Sequence, residues 1–354
     1  MMREPSFWWR APGTAARVLA PVSAVYGAVA QARLRQRGVR VATPVVCVGN
    51  PTVGGAGKTP TALTVARILK EAGERPVFLT RGHGGTLAGP IEVDPAHQHA
   101  AQVGDEPLLL ARVARTIVAR ARLAGAGRAA AGASVIVMDD GFQNPSLHKD
   151  FSLLVVDERR GIGNGRVVPG GPLRAPLAAQ LARAHALLLV GAPLRAGSVV
   201  EEARRHDLPV LRAHLRPDPK LIAALGRGRV LAFAGIGDPE KFFATLSDAG
   251  VAVAVTRSFP DHHRYTRAEA RALREEADRE GLMLVTTEKD LARLNGDEET
   301  AELVAHAQAL PVALVFEQEA AFKSLLLERI AAARERSATG AGSTAAGQAG
   351  CLRP

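Results

Sequence analysis

With 354 residues, 47% of them hydrophobic and 4% aromatic, the chain is long enough for two ordinary domains, each with its own core. A formal net charge of +10 implies an anionic partner: nucleic acid, a membrane surface or a phosphorylated substrate. The arginines are dispersed and rarely interleaved with aromatics, which puts nucleic acid last of the three, and Cys47 and Cys351 alone make neither a disulfide framework nor a zinc site. A reducing cytoplasm is the simplest setting.

From the N-terminus, Phe7, Trp8, Trp9 and Arg10 precede an apolar stretch, 18–30, that contains Pro21, Ser23 and Tyr26. It is shorter than the roughly 20 apolar residues a spanning helix needs. Arg3, Arg10 and the run Ala28-Val29-Ala30 have the look of a secretory signal, yet export would separate the nucleotide site that follows from its ATP. The expectation for 1–40 is therefore a membrane-surface helix, with the Trp pair at headgroup level and Arg17, Arg33, Arg35 and Arg37 near anionic lipid. A helix merely packed on the domain is the alternative.

The next element reads VVCVGNPTVGGAGKT over 45–59, a buried-type strand running into a glycine-rich turn. The turn Thr52, Val53, Gly54, Gly55, Ala56, Gly57, Lys58, Thr59 is of the kind that cradles a triphosphate. Its glycines let backbone N–H groups approach oxygens, Lys58 offers a point charge to the β- and γ-phosphates, and the Thr59 hydroxyl suits Mg²⁺. A helix over 61–71 would face the phosphates with its N-terminus. Thr52 stands where the G-x-x-x-x-G-K-[ST] pattern has its first glycine.

Strand-like runs continue at 76–80, 134–138, 152–156 and 186–190, then in a second series at 229–233, 251–256, 283–286 and 311–316. Alternation with helical segments predicts an α/β fold, a P-loop NTPase-like parallel sheet flanked by helices, with a second, smaller α/β domain. The polar, Gly- and Pro-containing stretch 216–228 marks the boundary, which gives a kinase-type domain over 41–222 and a C-terminal domain over 223–335. Thr266 and Glu269 form a capping box for the helix that follows. The Ala/Gly/Ser/Thr-rich tail, 336–354, lacks periodicity and reads as disordered.

Several residues could carry chemistry. Asp139 and Asp140 close an apolar strand, where a P-loop enzyme holds Mg²⁺; successive strand residues face opposite ways, so one reaches the metal unless the chain turns. Asp105 reads as an N-cap with Pro107 in the first turn, and a cap whose second oxygen points into a cleft can also be a base. His262 and His263 share a loop with Asp261 and Arg264, better suited to sharing a proton with a carboxylate than to a zinc site. The Gly/Pro/Arg loop 159–174 suits gripping phosphate, and Lys289, at a strand end and helix start, suits an anionic site or simple capping.

GNPTVGGAGKTP, Arg81-Gly82, Gly104-Asp105-Glu106-Pro107, DDGFQ at 139–143, GNGRVVPGGPLR at 163–174, FAGIGDPEKFF at 233–243, FPDHHRYT at 259–266 and TTEKD at 286–290 together resemble the tetraacyldisaccharide 4′-kinase (lipid A 4′-kinase) family. The resemblance implies transfer of the γ-phosphate of ATP, with Mg²⁺, to the 4′-hydroxyl of a tetraacylated glucosamine disaccharide 1-phosphate, the lipid A precursor, giving lipid IVA. It also implies an active site between two α/β domains and a monomer on the cytoplasmic face of the inner membrane. By the same resemblance the nucleotide loop falls on 52–59, the catalytic Asp on Asp105, its partner on His262, the metal acids on Asp139 and Asp140, and the substrate arginine on Arg174, with Arg81 a weaker candidate. Two positions depart from the family pattern: Ala175 replaces a frequent acid and His83 a frequent aromatic. A membrane-surface switch ATPase is the rival reading, but the signature Lys before the paired glycines is here Val53.

Overall fold

The computed structural model describes residues 4–348 apart from Arg227 and Asp297, with side chains described as far as 339. Its strands are β1 (Val45–Gly49), β2 (Pro76–Thr80), β3 (Ile91–Glu92), β4 (Thr116–Val118), β5 (Val135–Asp139), β6 (Phe151–Asp157), β7 (Ala186–Val190), β8 (Val210–Pro217), β9 (Arg229–Ala234), β10 (Ala252–Ser258), β11 (Met283–Thr287), β12 (Ala307–Leu310) and β13 (Val312–Phe316). They form a nine-stranded sheet, ordered β13-β8-β7-β6-β1-β5-β2-β4-β3, and a four-stranded sheet, ordered β10-β9-β11-β12. Pairing is parallel throughout the small sheet, and in the large one only β3 and β13 run antiparallel. Strands β1, β2, β5, β6 and β7 are buried at every residue, because helices cover both faces of a parallel sheet. That is why they read as unbroken apolar runs.

The apolar strands expected from sequence all form, within a residue or two of their expected ends. Four others escaped notice. β3 and β4 are short, β12 is an unremarkable AQAL, and β8, with residues VLRAHLRP, is polar on alternate positions.

The smaller domain does not extend to 335. β13 leaves it and pairs with β8 in the large sheet, Leu314 opposite Leu215, and the helix Glu319–Gln348 packs Phe322, Leu326 and Ile330 into the same core as Val46 and Val155. An apolar strand carries no mark of which sheet it will join, so the sequence boundary overshot. The expected disorder of 336–354 is likewise corrected as far as Gln348, which lies in that helix; 349–354 fall outside the described residues.

At the N-terminus the helix Ala20–Arg35 follows a short one, Thr14–Val18, and Pro21 sits in its first turn, where a missing N–H costs nothing. Val18, Val22, Val25 and Val29 share one face and are more than half exposed. Gly27 on another face meets Pro176 and Val167 of the large domain. Trp8 does not sit at headgroup level: it is buried and its Nε1 donates to the Pro169 carbonyl at 2.9 Å. Trp9 lies under the Arg160 guanidinium, 4.8 Å from the ring centroid. Among the described residues no helix is long and apolar enough to cross a membrane.

Because Phe322 is fully buried among residues of the large sheet, Phe322→Ala should cost about 3–5 kcal/mol, read as a lowered denaturant midpoint.

Candidate active site

The site begins where β1 ends. Gly57 adopts φ 85°, a left-handed conformation that a side chain disfavours, and directly caps the helix Lys58–Glu71. With Gly54 also at positive φ, 98°, the turn has the backbone freedom that a phosphate cradle needs, and the N-terminus of the helix follows it directly. Lys58 is buried, its Nζ 3.4 Å from the Gly54 carbonyl and 3.8 Å from Asp140 Oδ2.

The loop 159–174, expected to grip phosphate, instead braces this turn from outside. Val53 N donates to the Pro172 carbonyl and Arg174 N to the Pro51 carbonyl, both at 2.8 Å, and Thr52 bridges to Leu173. Two of its arginines are already engaged by acids: Arg159 pairs with Asp238, and Arg160 with Glu4 at 2.9 Å and with the Gly237 carbonyl at 3.1 Å. Arg174 is similarly committed, donating to Asp140 Oδ1 at 2.8 Å and to the Thr52 carbonyl at 2.9 Å. Arg81 is exposed on the cleft wall.

The two acids at the end of β5 diverge because the chain turns at Asp140, φ 48°. Asp140 is held well below the usual carboxylate range: burial alone would raise it, but Lys58 and Arg174 outweigh that. Asp139 stays on the strand, 1% exposed, and neither carboxylate oxygen has a hydrogen-bond partner. Burial, with Glu106 and Asp140 nearby, pushes its pKa up to about 7. An orphaned buried carboxylate beside a phosphate cradle has the chemistry a divalent cation satisfies, so Asp139, Asp140 and the Thr59 hydroxyl fit Mg²⁺. Among the described residues no cluster of three or more His, Cys, Asp or Glu could cage a metal unaided. That suits an ion held by one or two carboxylates and the substrate's own phosphates.

Asp105 is not an N-cap. Gly104 takes that place, and Asp105 is the first residue of the helix Asp105–Ala111, its Oδ1 accepting from the Glu106 amide at 3.0 Å. It is 3% exposed, and its Oδ2 lies 3.5 Å from His262 Nδ1. Burial would raise the Asp105 pKa, yet His262, Arg293 and Lys289 carry it far below the ordinary range. His262 responds in the opposite sense. Burial opposes its charge, Asp105 and Asp261 more than compensate, and its pKa rises. His262 is another residue at positive φ, 55°, a strained conformation of the kind found at functional sites. His83 packs against it, ring centroids 4.8 Å apart. His263 turns away to Glu269 at 3.0 Å, leaving His262 as the partner of Asp105.

Sequence reasoning gave Glu106 no role. It accepts from the Thr59 hydroxyl at 3.3 Å and from Lys289 Nζ at 2.5 Å, joining the phosphate turn to the small domain. Lys289 does face an anionic site, as its position at a helix start allowed, and Arg293 one turn later meets Asp105. The i, i+4 spacing of these two cations was the available signal.

Residues of both domains enclose a cleft of about 1270 Å³, lined by Gly55 and Lys58 from the large domain, Ile236, Phe242 and His262 from the small one, and Tyr26 and Val29 from the N-terminal helix. The model of the family described as tetraacyldisaccharide-1-P 4′-kinase matches residues 15–331. The chain belongs to the tetraacyldisaccharide 4′-kinase family. Proteins of that name from Rhodopseudomonas palustris BisA53 and Nitrobacter hamburgensis are 54% and 52% identical to it, covering 95% and 94% of this chain and 98% and 100% of their own. A crystal structure of LpxK from Aquifex aeolicus in complex with ATP is similar over 89% of this chain and 99% of its own, at 26% identity and a TM-score of 0.67.

Asp139, carrying a folded-state pKa near 7 against an ordinary 3.8, destabilises the metal-free fold once it ionises. The folded state binds the proton more tightly, so its stability falls as pH rises from about 4 to about 7 and then levels. Asp139→Asn should raise Tm in chelator at pH 8, by a margin that shrinks as pH is lowered through that window, while turnover is lost.

Proposed function

We propose that the chain transfers the γ-phosphoryl group of ATP to the 4′-hydroxyl of a tetraacylated glucosamine disaccharide 1-phosphate, forming lipid IVA. The observation that carries this reading is the buried contact between Asp105 and His262 beside the phosphate turn, in a chain matched by the kinase family model from 15 to 331. A switch ATPase has no use for such a pair; a kinase that must deprotonate an alcohol does.

The amides of 54–59 and Lys58 hold the triphosphate and take up charge on its oxygens as the bond to the γ-phosphorus breaks. Mg²⁺, held at Thr59 and Asp139 or Asp140, would neutralise phosphate charge. Arg174 keeps Asp140 oriented and ionised, and Arg81 supplies positive charge to the wall where an anionic acceptor lies. As the acceptor oxygen bonds phosphorus, its proton passes to the Asp105–His262 pair, through the Asp105 carboxylate and on to the His262 imidazole. The two groups titrate as a unit: an ionised Asp105 beside a neutral imidazole has room for one proton, which the pair holds as carboxylate and imidazolium. Asp105 belongs to the large domain and His262 to the small one, so cleft closure completes the base and excludes water.

The exposed valines of the N-terminal helix, together with Arg17, Arg33 and Arg35, suit a monomer resting on the cytoplasmic face of the inner membrane, beside the cleft into which an acyl-disaccharide headgroup would pass.

Transfer of labelled γ-phosphate from ATP to the disaccharide lipid tests the reaction itself; ATP hydrolysis without lipid labelling would refute it. Asp105→Ala should lower kcat by about 10²–10⁴ with the KM for ATP little changed, and Lys58→Ala should abolish transfer. Val22→Asp with Val25→Asp should abolish flotation with anionic liposomes while turnover on detergent-dispersed lipid persists. Undiminished flotation would refute the membrane face.

A further inference from the structure

Arg293 reaches out of the small domain from the helix Glu288–Leu294, and its side chain is 6% exposed. Its Nε donates to Asp105 Oδ2 at 2.7 Å, and Nη2 lies at the same distance off the hydrogen-bond axis. Nη1 donates to the Gly235 carbonyl at 2.6 Å and to Asp290 Oδ1 at 2.8 Å. Asp290 is itself immobilised, accepting from the Gly235 amide at 3.0 Å, the Tyr265 hydroxyl at 2.9 Å and the Thr287 hydroxyl at 2.6 Å. The guanidinium is therefore clamped along one edge by the end of β9 and by its own helix, and presents the other edge to Asp105.

This arrangement does what a lone ammonium cannot. A planar fork spanning three acceptors fixes direction as well as charge. The Asp105 carboxylate, tied at Oδ1 to the Glu106 amide and at Oδ2 to Arg293, cannot rotate away from His262. We propose that Arg293 is a positioning residue for phosphoryl transfer, its guanidinium holding the Asp105 carboxylate in line with His262 once the domains meet. The proposal rests on Asp105 and His262 being the proton-accepting pair.

It also makes a statement about pH. The groups facing Asp105 are Arg293 and Lys289 from the helix Glu288–Leu294, His262 with His83 behind it, and Glu106 from its own helix. Removing Arg293 withdraws a cation that lowers proton affinity at both Asp105 and His262, so the pair takes up its proton at higher pH.

The test compares Arg293→Lys and Arg293→Gln across pH. For Arg293→Gln, kcat at its plateau should fall about 10²-fold, the KM for ATP should stay within about twofold, and the acid limb of the kcat profile should move up by about one pH unit or more. Arg293→Lys keeps the charge and loses the fork, so kcat should fall about tenfold with the acid limb unmoved. Turnover of Arg293→Lys within twofold of the parent overturns the proposal, as does a fall in kcat matched by loss of ATP binding and of the thermal transition. Should Arg293→Gln fail to fold, Arg293→Lys decides alone by the same criteria. Asp105→Asn separates the proposal from the reading beneath it: near-normal turnover of that variant refutes the proton-accepting role itself. If Asp105→Asn is impaired, adding Arg293→Lys should cause no further loss; an additional independent loss shows that Arg293 does not act through Asp105.

Discussion

A negative charge held inside the protein governs the design of the site. Asp105 is almost without solvent, and a carboxylate so placed stays ionised only while cations face it. Its cations come from the other domain, Arg293 and Lys289 on one helix and His262 on a loop. The active site and the domain interface are thus one set of contacts. Whatever separates the domains also takes those cations away from Asp105, so the interface is held by charge as well as by shape.

The phosphate turn solves a related problem. A glycine-rich loop that must offer its amides to a ligand cannot also use them to hold itself in place. Here the strain is taken by the neighbouring loop through Pro172, Leu173 and Arg174, and by Asn50, whose side chain donates to the Gly54 carbonyl at 3.1 Å. Arg174 links that brace to Asp140. One side chain therefore ties the shape of the turn to the orientation of Asp140.

Much of this was legible in the chain itself. The strands of the large sheet are continuous apolar runs because both faces are covered, and the glycine spacing of 54–57 has few other uses. The capping box at Thr266 and Glu269 forms as its spacing required. What could not be read was partnership. Nothing in PVALVF says that it closes the first sheet, and nothing in Arg159 or Arg160 says that acids from other segments will occupy them. Asp105 looked like a cap because Asp before Pro at a helix start usually is one; Gly104, with φ 93°, took the cap position and moved the acid one step into the helix. Arg293 reads as an ordinary helix cation until Asp105, far away in sequence, is brought beside it.

The return of β13 to the large sheet bears on how the molecule is made. A sheet whose edge strand and covering helix are supplied only by residues after 311 cannot finish its core on the ribosome while the intervening unit is still emerging. The smaller unit, by contrast, is complete by Leu310, with both of its ends anchored in its neighbour. Synthesis therefore leaves the large sheet without its edge strand and the helix packed on it until residues 312–330 have emerged.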